Sequence, residues 1–185
     1  MFVENVLAEV KRDPTGFRNG TIDTLVRSAV FDADAARRDE ARISIRKAAA
    51  ALGILPASIQ ELYVAMGRGE AGGFTTPAIN LRMLTYDAAR AVFRAAKARD
   101  VGAFILEIAR SEMGYTDQRP GEYVAVVLAA AIKEGHRGPV FIQGDHFQMN
   151  AKKFAADAGA ERRAIETLIE EAIPCLLYTS PSPRD

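Results

Sequence analysis

A single cysteine, Cys175, stands in 185 residues, which excludes an internal disulfide. No charge of one sign dominates, because 24 Lys and Arg offset 24 Asp and Glu. The chain therefore has no overall field to draw nucleic acid or an anionic membrane, and neither is expected as a partner. Long apolar runs are also missing: none approaches the about 20 residues that span a bilayer. The start, Met1-Phe2-Val3-Glu4-Asn5, lacks the basic-then-apolar pattern of a secretory leader, so a cytoplasmic protein is expected. With 8 Pro and 14 Gly, collagen-like and low-complexity compositions are excluded. What is present, 49% hydrophobic and 26% charged residues, is the composition of a globular domain. A chain of this size buries roughly 70% of the surface it exposes when unfolded.

The segment 175–185, Cys-Leu-Leu-Tyr-Thr-Ser-Pro-Ser-Pro-Arg-Asp, breaks with the helical pattern running into it. Read back into codons it resembles a transposase-type sequencing adapter. The natural sequence is accordingly expected to end near Ile173 or Pro174, leaving 174–185 as a non-native tail, the alternative being a Ser/Pro-rich disordered C-terminus.

Residues 1–73 read as a helical N-terminal extension. Asp34–Leu52 spaces Ile45, Ala48, Ala49 and Leu52 for a helix that stops at Gly53, and Ser58 is a candidate N-cap for a second one. From Phe74 onward, short apolar runs alternate with amphipathic windows, the texture of βα units and a parallel sheet. The strands are expected at Phe74–Leu81, Ala103–Ala109 and Pro139–Gln143. Helices are expected over Tyr86–Arg99, from Pro120 through Glu134, and over Ala160–Ala172, with a loop from Arg110 to Arg119. No GxGxxG follows the first strand and no GxxxxGK[ST] occurs, so dinucleotide and P-loop readings are weak.

In both doubly wound sheets and eightfold barrels, chemistry gathers where strands end. Asn80, the stretch Arg110–Thr116 and Gly144–Asn150 occupy those ends. Asp145-His146 is the sharpest pair: the carboxylate can shuttle a proton and the imidazole can bind a divalent metal, or Asp145 caps a helix and His146 packs beside it. Lys152 and Lys153 are either amine and phosphate groups or a solvated face. Arg110 and Ser111 either meet a phosphate or form a salt bridge and a turn. Glu107 sits within an apolar strand and must be paired or face a polar interior. His136 reads as a surface residue at the opposite end of the sheet.

Pro77-Ala78-Ile79-Asn80, Ile105-Leu106-Glu107, Gly114-Tyr115-Thr116 and Phe141–Asn150 together resemble the class II ketose-bisphosphate aldolase superfamily, which includes fructose- and tagatose-bisphosphate aldolases. The resemblance covers about Phe74 to Ile173. It implies a truncated (β/α)8 TIM barrel of about three βα units and a zinc cofactor. It implies reversible cleavage of a ketose bisphosphate to dihydroxyacetone phosphate and an aldehyde phosphate. Carried over residue by residue, it makes Asp145 the catalytic proton donor and acceptor, His146 a metal ligand, and Asn80 and Ser111 substrate-binding residues. The fructose-type pattern has serine where this chain has Ala109, with Ser111 two positions later. The Gly-Tyr-Thr stretch also looks like the non-catalytic Z-type subunit of tagatose-bisphosphate aldolase. The implied partners are a phosphorylated sugar and either a second copy or an aldolase subunit; a small α/β binding domain is the third reading. On the barrel reading, the outer edge of the third strand lacks a neighbour. Association and no lyase activity are then expected of these 185 residues.

Overall fold

The computed structural model describes residues 2–176. Its first part is helical: α1 (Phe2–Arg12), a short turn α2 (Pro14–Gly16), a π-helical turn at Phe17–Thr21, α3 (Ile22–Phe31) and α4 (Ala35–Ala51). Local chemistry sets these boundaries. Asp13 accepts from the Gly16 N–H at 2.8 Å, and Asp34 accepts from the Ala36 N–H at 2.9 Å as the N-cap of α4. Gly53, at φ +74°, ends α4 as expected.

The N-terminal segment then departs from an all-helical reading. Ile54–Ala57 forms a strand, β1, before α5 (Gln60–Gly67). The remaining order is β2 (Ala78–Asn80), α6 (Thr85–Ala98), β3 (Ile105–Ala109), α7 (Arg110–Thr116), α8 (Pro120–Lys133), β4 (Gly138–Asp145), α9 (Ala151–Ala156) and α10 (Ala158–Leu176). All three expected strands form, with the first shortened to three residues after Pro77, which cannot donate to a ladder. The third runs on to Asp145. The expected loop at 110–119 is corrected over most of its length: it is helix α7. The last helix continues through Pro174 to Leu176; the expected tail lies otherwise outside the described residues.

The four strands make one parallel sheet in the order β1-β4-β3-β2. Ile54–Ala57 pairs with Gly138–Phe141, so the expectation of an unpartnered outer edge on the third strand is also corrected. The register Asn80↔Glu107↔Gln143 and Ala109↔Asp145 sorts side chains by face. Leu106, Ile108, Val140, Ile142 and Ile54 point into the main core with α8. The opposite face carries Asn80, Glu107, Gln143 and Asp145.

Helix α8 explains why residues 1–51 belong to the same core. It packs on β1, β3 and β4 and also on α3, α4, α6 and α10. Each residue from Tyr123 to Ile132 is buried, a helix apolar on all sides because it has neighbours on all sides. Salt bridges seal its ends: Arg42 of α4 meets Glu122 at 2.7 Å, and Lys133 meets Asp23 of α3 at 2.7 Å. Tyr86 of α6 also donates to Asp23 at 2.7 Å. Despite the burial that opposes it, the Lys133 and Tyr86 bonds hold the Asp23 carboxyl below its ordinary pKa.

Candidate active site at the strand ends

Parallel strands discharge their polar ends on one side of the sheet, and here they converge on Asn80. Its Nδ2 donates to Asp145 Oδ2 at 3.0 Å and to Glu112 Oε2 at 3.2 Å. Two of the residues singled out in the sequence, Asn80 and Asp145, are therefore brought together across β2 and β4.

Glu112, the third member, lies within the strand-end stretch Arg110–Thr116 picked out in the sequence, but no role was assigned to it there. It lies on α7, is 4% exposed, and accepts from the Ala109 N–H at 2.8 Å and from Arg82 Nε at 2.6 Å. Burial alone would raise its pKa, but the Ala109, Asn80 and Arg82 hydrogen bonds outweigh that and lower it, so the side chain is an anion. The signal was present in the sequence: a Glu three residues after a strand end, bonding back to the N-cap N–H, is half of a capping box. Glu107, also buried, accepts from Gln143 Nε2 at 2.7 Å on the same face, satisfying the need for a partner. Tyr123 of α8 donates to the Glu107 carbonyl at 2.9 Å, tying this strand to the core helix.

Asp145 and His146 sit at a sharp turn. His146 adopts φ +46°, a left-handed conformation costly for a residue with a Cβ. Its side chain is 72% exposed, with Nε2 3.2 Å from Asp145 Oδ1. The turn closes where Phe147 covers Gly144: a Cβ built on Gly144 would lie 2.6 Å from the Phe147 ring. Glycine is thus what lets β4 deliver Asp145 at this position.

Ser111 is exposed on α7 and lines a separate cleft of about 610 Å³ together with His146, Arg110 and Lys153. The structure does not place it with Asn80 and Asp145. Arg110 forms the salt bridge that was one of its two readings, to Glu161 of α10 at 2.5 Å. Lys152 and Lys153 are exposed on α9. His136 stands in the turn before β4, its ring 5.0 Å from that of Phe93 and its Nε2 3.0 Å from the Pro139 carbonyl, so it is half-buried packing away from the site.

Among the described residues no group of three or more His, Cys, Asp or Glu is arranged to hold a metal ion. His146 is the one imidazole beside the cluster, Glu112 is already engaged by three donors, and a zinc site takes at least three protein ligands. The described residues on their own do not fit a zinc ion. What they can do is proton chemistry: Asp145, held at one oxygen by Asn80 and 23% exposed, can take a proton from a bound hydroxyl and return it. Compared with known proteins, the chain matches no family model, no curated protein and no solved structure.

Proposed function

We propose that this chain carries the sugar-binding and proton-transfer part of an aldolase acting on a phosphorylated ketose, with β2, β3 and β4 forming an arc of a (β/α)8 barrel. The observation that carries the reading is the Asn80 amide shared by Asp145 and Glu112, which fixes a half-open carboxylate where three consecutive strands end. In aldol cleavage a hydroxyl loses its proton as the neighbouring carbon–carbon bond breaks. A positioned carboxylate lowers the barrier to that transfer. Asp145 is that base, and it acts as the acid in the reverse direction. Asn80 orients it, and Glu112, anchored by Arg82 and the Ala109 N–H, orients Asn80. Stabilising the carbanion left after cleavage needs an electrophile, and the cluster of Asn80, Glu112 and Asp145 contains none.

Calorimetric titration of the 185-residue protein with fructose 1,6-bisphosphate tests the reading through binding alone. Saturable binding is expected, weakened about tenfold in Asp145→Ala, the loss of one charge-assisted hydrogen bond. Thermal melts confirm that the variant folds. Absence of saturable binding, or equal affinity in a folded Asp145→Ala variant, overturns the reading.

A further inference from the structure

A groove of about 420 Å³ opens over β4 between α5 and α10, within the about 300–1,000 Å³ of small-molecule sites. Tyr63 of α5, Phe141 of β4, Phe147, and Ile169 and Ile173 on one face of α10 wall it; among the described residues no charged side chain does. One polar group in the wall is fixed. Gln143 gives its Nε2 to Glu107 Oε2 at 2.7 Å, so its planar amide turns Oε1 away from Glu107 and holds it as an acceptor. Helix α5 supplies an independent observation. None of its eight residues is buried, and among the described residues it packs closely on no other element. Its N-cap, Ile59, is anchored at 7% exposure, while Tyr63 on the groove side is 44% exposed. Helices shorter than about 12–15 residues are marginal in water on propensity alone, so α5 needs a packing partner that the fold around it does not provide.

We propose that this groove binds a small uncharged apolar molecule carrying a hydroxyl, and that α5 closes over it. The apolar body lies against Phe141, Phe147 and Ile169, and the hydroxyl donates to Gln143 Oε1. A charged ligand is disfavoured because the wall holds no counter-charge to offset its lost hydration. Burying the Tyr63 ring against the ligand supplies the packing that α5 lacks. None of Asn80, Glu112 and Asp145 lines the groove, and a sugar bisphosphate finds no cation there, so the proposal stands apart from the aldolase reading.

The test is calorimetric titration of the 185-residue protein with 4-phenylbutan-1-ol, its methyl ether and the 4-phenylbutanoate anion. The alcohol is expected to bind saturably; the ether, which cannot donate, and the anion are each expected to bind about tenfold more weakly. Tyr63→Ala and Ile169→Asp, both at positions already open to solvent, should weaken the alcohol about tenfold, while Ile43→Asp on α4, 48% exposed and outside the groove, should leave it unchanged. Thermal melts confirm that the variants fold. Hydrogen exchange reads the closure: the alcohol is expected to slow the amides of Gln60–Gly67 about fivefold. No saturable binding of the alcohol, equal affinity for the anion, or binding indifferent to both groove variants overturns the site. Binding without added protection of α5 overturns the closure. A wild-type dimer in sedimentation that Ile169→Asp dissociates, with no alcohol bound, assigns the groove to a second copy and overturns the proposal.

Discussion

His146 and Gly144 carry opposite kinds of constraint within one turn. At φ +46° the His146 backbone costs about 1–2 kcal/mol relative to an ordinary conformation. Glycine at that position should relieve the strain: His146→Gly is expected to melt higher than His146→Ala, read by thermal denaturation, and equal melting temperatures would count against stored strain. Gly144→Ala meets the reverse problem, since its new methyl would press on the Phe147 ring. Phe147 must move or the strand must shift, so Gly144→Ala is expected to destabilise the fold by about 1–3 kcal/mol, measured in denaturant, as overpacking does. It should also displace Asp145 and weaken the sugar binding proposed above.

At the scale of elements, α10 is fastened over the cleft by Glu161, whose bonds from Arg110 and the Asn150 N–H hold its carboxyl well below the usual range, at about 2. A carboxylate with a depressed folded pKa contributes its stability above the unfolded pKa and loses it as pH falls toward the folded value. The contribution is therefore intact above about pH 4.3 and disappears between there and about pH 2. Glu161→Gln should flatten that part of the melting-temperature profile, and an unchanged acid limb would argue that the clamp is without thermodynamic effect. Elements such as α10 were legible because their apolar residues recur at helical spacing over several turns. Strand β1 was not: Ile54-Leu55-Pro56-Ala57 is four residues with a proline between two helices, and only β4 beside it makes it a strand. Helix α7 escaped for a related reason, since Arg110–Thr116 holds a glycine and a threonine and no apolar stripe, and Glu112 ties its first turn to Ala109. Asn80 and Asp145 could be read from their strand-end places. For their shared partner Glu112 the spacing after Ala109 was readable as half of a capping box, but its contact with Asn80 was not, because that contact depends on a helix folding back over the strand.

On the scale of the whole molecule, α8 is the member to which the rest is attached. Leu128, fully buried on it, belongs to the core shared by the sheet and the N-terminal helices. Leu128→Ala is expected to cost about 2–5 kcal/mol and to lower the stability of both regions in one cooperative transition. Separate transitions reported by α4 and by the sheet would mean that residues 1–51 form an independent unit. The sheet ends on β1 and β2, four and three residues long and both bordered or interrupted by proline, so neither edge offers a long template for a second chain.

The pairing of Ile54–Ala57 with Gly138–Phe141 also orders events in time. During synthesis the first strand is made long before β4, its neighbour in the sheet among the described residues, and α1 to α4 are made before the central helix they pack against. A nascent chain halted before Gly138 must leave β1 without its ladder. The sheet can acquire this outer strand only after synthesis has passed Phe141.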